Sequence, residues 1–195
     1  MAFSGDIKEM FHQVEIREED VQAQRFLWRE NPKKPPESFL MKAMIFGSAS
    51  SPCSAQYVKN LNAEEFSDSF PEAARSIKEL HYMDDWLQSV PKEEEAMKLI
   101  QDVIHVHKMG GFEICNFISS SKSILETLPG ELVAMRTKNV CLEAEMPSER
   151  VLGLWWDPNS DCFEFKLQFH KVKPDVFHEG RKPTKRGPED HHVRL

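Results

Sequence analysis

Two adjacent aspartates, Asp84 and Asp85, sit inside the apolar stretch Leu80-His81-Tyr82-Met83-Asp84-Asp85-Trp86-Leu87. Like charges buried side by side are costly unless cations compensate them, so this stretch either draws a cation or leaves its acids in water. Successive residues of a strand point to opposite faces, and a flat strand would split the pair. A tight hairpin turn at Asp84-Asp85 would instead present both to one site. An exposed β-turn is the other reading, because Asp is a common turn residue whatever the function.

A further acid lies far upstream in a comparable setting. Phe3-Ser4-Gly5-Asp6-Ile7 places Asp6 near the end of a short apolar run, and Phe46-Gly47-Ser48-Ala49-Ser50-Ser51-Pro52 supplies a loop of small residues between the two acidic positions. Gln24 to Arg29 reads as a strand pairing with the first, and Phe39 to Ile45 as another. The intervening Asn31-Pro32-Lys33-Lys34-Pro35-Pro36 is a turn, since proline removes backbone donors. Ser51 as a cap and Pro52 in the first turn start a helix with Ala55, Val58, Leu61 and Phe66 on its apolar face. Pro71 ends it, and Glu72 to Leu80 form a short helix.

Leu80 to Val90 then reads as a hairpin with the two acids at its tip. Glu93, Glu94 and Glu95 favour the positive end of a helix dipole, and Met97, Ile100, Val103, Ile104 and Val106 form the stripe that packs this helix on a sheet. Gly110-Gly111 ends it. Phe112 to Phe117 is a strand, Ser119 to Leu128 is helical, and Pro129 to Pro147 is an irregular connection or a hairpin. Arg150 to Trp156 and Cys162 to Phe169 pair across Asp157-Pro158-Asn159-Ser160. The sum is an α+β layer, an antiparallel sheet with acids on one face and helices on the other.

No run approaches the roughly 18 apolar residues that span a bilayer, and no basic segment precedes a hydrophobic core at the N-terminus. We therefore expect a soluble, intracellular protein with no membrane partner. Cys53, Cys115, Cys141 and Cys162 are widely spaced, which opposes both a zinc site and a disulfide framework and predicts reduced, mostly buried thiols. The net charge of −7 gives no overall basic footprint for nucleic acid. After Lys173 the sequence turns polar and basic, including Arg181, Lys182, Lys185 and Arg186, and a solvated tail is expected there. His105 and His107 stand two apart on a helix and read as surface or edge residues. His191-His192 falls in the tail. Ser48, Ser50 and Ser51 have no nearby His and Asp at the spacing of a hydrolase triad.

Taken in order, Asp6 to Val14, Arg25 to Trp28, Phe46 to Pro52, Tyr82 to Asp85, Gly110 to Phe112 and Leu152 to Trp156 resemble the reverse transcriptase palm. Their wording resembles the Pol polyprotein of Bel/Pao-type LTR retrotransposons, with likeness running to about Arg186. The resemblance implies a palm-like domain over residues 1–170 that lacks fingers and most of the thumb, and a basic, disordered or truncated tail over 171–195. The word Arg181 to Arg186 departs from the family by running into Gly187-Pro188-Glu189-Asp190 rather than an apolar helix.

The activity so implied is RNA-directed DNA polymerisation, transfer of deoxynucleotides to a primer 3′-hydroxyl assisted by two Mg²⁺ ions, or Mn²⁺ in their place. Asp6, Asp84 and Asp85 would be the catalytic carboxylates. They would hold the metal with the backbone carbonyl of Ile7 as auxiliary ligand. Phe11 would exclude a ribose 2′-hydroxyl, or is simply a core phenylalanine. Phe46 and Gly47 would lie beside the nucleotide, and Tyr82 and Met83 would flank the primer terminus. Leu152-Gly153-Leu154-Trp155 resembles a primer-grip hairpin, with a buried aromatic strand as the alternative. Asn116 stands where the family usually carries a basic residue, which predicts slow chemistry.

Implied partners are an RNA or DNA template with its primer, deoxynucleoside triphosphates, and the protease, RNase H and integrase domains of an intact element. Such a chain would reside in the cytoplasm or a virus-like particle. The alternative is an inactive remnant serving as a nucleic-acid or protein interaction module; a different two-metal phosphohydrolase is a weaker third reading.

Overall fold

Alternating side chains in Ala2–Ile7 build β1, the strand on which the molecule is assembled. Phe3, Gly5 and Ile7 face one side, Ala2, Ser4 and Asp6 the other. The computed structural model describes residues 1–134 and 146–165 of the chain, and residues Met1–Glu164 form one compact unit. β1 lies inside a four-stranded sheet whose other strands come from later in the sequence. The turn Met83-Asp84 joins β4 (His81–Tyr82) to β5 (Asp85–Ser89), and β6 (Ile114–Ser119) closes the far side. The order is β4-β5-β1-β6 and every pairing is antiparallel.

Three helices cover the face that carries Phe3. α1 (Ser51–Glu65), α2 (Pro71–Glu79) and α3 (Glu93–Met109) pack against one another over Phe3, Trp86 and Phe117. Phe3 meets Trp86 edge-on, with ring centroids 5.1 Å apart. This is the α+β architecture the sequence predicts, antiparallel strands backed by helices. α3 begins on its three glutamates and ends at Gly110, where a side chain would collide with Asn62 at 2.5 Å. The Asn62 carboxamide occupies that space because it donates to the Val106 carbonyl at 2.8 Å. A short helix α4 (Lys122–Thr127) follows β6.

Several local expectations are corrected. The segment Gln24 to Arg29 does not join β1. Arg25–Trp28 forms β2 and, among the described residues, pairs only with β3 (Glu37–Leu40), a separate hairpin in which every residue is exposed. β3 stops well short of Ile45, because Ala43 turns back to bridge Glu15. The hydroxyl of Ser51 does not cap α1; it donates to the Ile45 carbonyl at 2.7 Å and ties the preceding loop to the helix start. Arg150 to Trp156 is not one strand. β7 (Glu149–Val151) turns at Leu152-Gly153, both in the left-handed region, into β8 (Leu154–Asp157), which pairs with β9 (Cys162–Glu164). Cys53 and Cys162 are exposed and only Cys115 is buried, contrary to the expectation of mostly buried thiols; Cys141, the tail, and His191-His192 lie outside the described residues.

The largest surprise is polar. α1 turns Lys59 inward and leaves Tyr57 and Leu61 exposed. His107, expected at the surface, is wholly buried, whereas His105 is exposed beside Phe70. His81 stacks on Trp86 and its Nε2 lies 3.1 Å from His107 Nε2. The Ser76 carbonyl, 3.3 Å from His81 Nδ1, can only accept. That assigns the proton of His81 to Nδ1 and makes His107 Nε2 the donor between the rings, so His107 Nδ1 is left as a buried lone pair with no partner among the described residues. Burial, the neighbouring imidazole and the Lys59 charge hold His81 well below the ordinary imidazole range. Burial and then Lys59 lower His107 to about 3. Burial lowers Lys59 itself to about 8.

Both imidazoles therefore bind protons more weakly folded than unfolded, and their contribution is complete above about pH 6.5 and lost as pH falls, that of His107 toward about 3. The unfolding free energy from urea titrations should drop between pH 7 and pH 4, at most by about 1.4 kcal/mol per pH unit for each histidine, and His107→Phe should flatten the profile. Lys59→Met should raise the midpoint at pH 7, because it removes a buried cation that no carboxylate pairs with among the described residues.

Candidate functional site

The acidic site follows from the register of β1 on β5. Asp6 and Asp85 are directly opposed, as are Gly5 with Trp86 and Ser4 with Leu87. Residues so placed have Cβ atoms roughly 5 Å apart on one face, and that face is the one turned away from the helices. Asp85 in turn opposes Tyr82 on β4. The two-residue turn between them needs Met83 in the left-handed region, at φ 60°, and puts Asp84 at the corner. Only Asp84 is therefore at the tip; Asp85 already belongs to the strand. The Asp84 carbonyl accepts from the Ile7 amide at 2.9 Å, clasping the turn to the end of β1.

Convergence of the three carboxylates, separated by almost eighty positions in sequence, is thus a consequence of strand pairing. Its electrostatic signature is burial reinforced by repulsion at Asp6 and Asp85. Burial first, and then the charge of Asp84, push the Asp6 carboxyl above its ordinary value, against a lowering hydrogen bond from Asn116. Burial, Asp84 and Asp6, in that order, raise Asp85. Among the described residues no three His, Cys, Asp or Glu side chains are gathered closely enough to hold an ion. The donor chemistry nevertheless fits a hard divalent cation, which prefers carboxylate oxygens, and half-buried acids that repel one another are what such a cation would relieve. A cleft of about 300 Å³ opens onto Asp6 and Asp85 and is walled by Ser4, Asn116, Ile118 and Arg150.

The other residues named from sequence fall into two groups. Phe11 lies in the 3-10 turn Met10–Gln13 just past β1 and meets Phe46 edge-on at 4.8 Å. Phe46 also touches the His12 ring and is otherwise exposed. Gly47 follows at φ 89° with open space where a side chain would be, so the loop needs glycine for its conformation rather than for room. Tyr82 and Met83 sit on the acidic hairpin itself. Tyr82 is 70% exposed, and the Gln56 amide reaches Met83 Sδ at 3.1 Å. Ile7 has a buried side chain and ends β1.

Leu152 is exposed at its turn, while Trp156 is buried with Ile118, Ala134 and Val151 on the acidic face of the sheet. Sequence reasoning missed Ser4 and Arg150 as walls of the cleft. It noticed Asn116 only as a departure; the signal available was an Asn inside an apolar strand.

The family model for reverse transcriptase (RNA-dependent DNA polymerase) matches residues 1–123, from β1 into α4. No curated protein matches the chain. No helix among the described residues is long and apolar enough to cross a membrane.

In cation-free buffer, Asp85→Asn should stabilise the fold by about 0.2–1 kcal/mol, the usual size of a directly opposed like-charge pair. The sign follows from the raised carboxyls. A carboxyl held above its unfolded value loses stability as pH rises through its folded pKa, so the gain should be present at pH 7 and absent at pH 3. Chemical denaturation in EDTA at the two pH values measures it.

Proposed function

We propose, from the premise that this chain belongs to the reverse transcriptase family, that Asp6, Asp84 and Asp85 are its catalytic carboxylates and that the chain extends a primer with deoxynucleotides on an RNA or DNA template. The observation that carries this reading is the opposition of Asp6 to Asp85 across β1 and β5, with Asp84 at the adjoining turn. These three side chains, with the Ile7 carbonyl, would hold divalent cations, Mg²⁺ or Mn²⁺. When bound, such ions make a primer hydroxyl more nucleophilic and neutralise departing pyrophosphate.

The remaining residues bind and orient. The Phe11 and Phe46 rings form an aromatic corner at the end of β1, suited to pack on a deoxyribose and to exclude an added 2′-hydroxyl. The unencumbered backbone at Gly47 lets a nucleotide approach closely. Tyr82 and Met83, on the same hairpin as the acids, are placed to flank a primer end, and the Leu152 turn to support it. We assign residues 1–170 to this palm-like domain and 171–195 to a basic tail. The order of motifs supports a Bel/Pao-type Pol polyprotein, whose protease, RNase H and integrase domains would be further partners, in the cytoplasm or a virus-like particle. Asn116 in place of a basic residue favours a second reading, a catalytically inactive remnant that keeps the palm fold as an interaction module.

Primer extension with Mg²⁺ or Mn²⁺ separates the two. Wild type should incorporate deoxynucleotides and Asp84→Asn should lose at least about a hundredfold, as removal of a metal-dependent group does. Incorporation that survives the substitution would reject the assigned site. Phe11→Val should admit ribonucleotides while leaving deoxynucleotide addition measurable, read as the ratio of kcat/KM for the two sugars.

A further inference from the structure

β6 does not run straight past β1. Ser4 pairs with Ile118 and Asp6 with Cys115, so one residue of β1, Gly5, faces two of β6, Asn116 and Phe117. The extra residue is a β-bulge, a feature that re-aims a side chain and interrupts the ladder. Asn116 takes the left-handed conformation, φ 53°, one that Asn tolerates better than most side chains. Its neighbours in β6 are buried while Asn116 itself is open to the cleft. It shares that cleft with Asp6, and its carboxamide lowers the Asp6 carboxyl against the effect of burial. Gly5 makes the close approach possible, since a Cβ there would stand 3.2 Å from the Phe117 ring and 3.3 Å from the Cys115 carbonyl.

We propose that Asn116 is a positioning residue for the acidic site, its carboxamide holding one oxygen of Asp6 so that the carboxylate is presented toward Asp85 for a divalent cation. An ionised carboxylate only accepts, so the amide NH₂ of Asn116 is the donor in this arrangement. The inference rests on the metal-site reading above. It adds the claim that a residue outside the three carboxylates sets their geometry, and that Asn at this bulge has a task of its own rather than marking a lost basic group.

The test uses the full chain and Mn²⁺ as the probe, with free Mn²⁺ followed by electron paramagnetic resonance. Asn116→Gly keeps the left-handed backbone and removes the carboxamide, and should weaken Mn²⁺ binding about tenfold, the lower end of what loss of a ligand-orienting partner costs. Its thermal midpoint in EDTA should match wild type. A second readout needs no substitution at Asn116: its side-chain amide protons, seen by NMR without metal, should shift and exchange faster in Asp6→Ala. Wild-type Mn²⁺ affinity in a folded Asn116→Gly, or unmoved amide signals in Asp6→Ala, overturns the proposal. If Asn116→Gly does not fold, the amide signals decide. Failure of the site reading looks different, because Asp6→Asn would then bind Mn²⁺ as wild type does.

Discussion

One cross-strand pairing, Asp6 against Asp85, organises the rest of the molecule. Two acids opposed on neighbouring antiparallel strands destabilise a sheet, and here both are partly removed from water. The structure retains the arrangement because the opposite face of the same strands is strongly held. Phe3, Ile7 and Trp86 are almost wholly buried, two of them in the main core and Ile7 in the smaller cluster beside α1. A residue-by-residue alternation thus divides the labour of β1: Phe3 and Ile7 anchor one face, and Asp6 carries charge on the other. Because register is pinned by the buried face, the acids cannot slip apart without exposing the anchors.

The same logic explains how little backbone separates the site from its supports. Residues that press toward one another across β1, β5 and β6 do so at three departures from regular structure: the left-handed Met83 at the hairpin, the left-handed Asn116 at the bulge, and Gly5 between them. Such departures are tolerated where surrounding structure fixes them, and they gather where chemistry needs side chains re-aimed. The buried Lys59 and His107 and the half-buried His81 lie under the opposite face, on the helix side of Trp86. They are a cost in the helical layer and stand apart from the acidic cleft.

Much of this was legible in the sequence. Asp84-Asp85 inside apolar neighbours, Asp6 closing an apolar run, and the proline and glycine punctuation around α1, α2 and α3 each led to the correct element type. What sequence could not supply was pairing. Arg25–Trp28 has a convincing strand pattern, yet nothing local tells a strand whether to join the main sheet or a hairpin of its own. His107 was misplaced, and the inward turn of Lys59 went unnoticed, for a related reason: a helix buries a face, and a long or ring-shaped side chain on that face goes inward with it even when polar. Asn116 was visible as an oddity, but its place beside Asp6 in the cleft depends on a bulge that no periodicity reveals.

The central claim is that three carboxylates brought together by strand pairing form one cation site. Anomalous diffraction from crystals soaked in Mn²⁺ tests it most directly. The expected result is anomalous density between the Asp6 side chain and the Asp84-Asp85 pair, with both acidic segments drawn toward it. Density confined to other surfaces, with Asp6 and Asp85 unmoved and unoccupied at saturating Mn²⁺, would contradict the account.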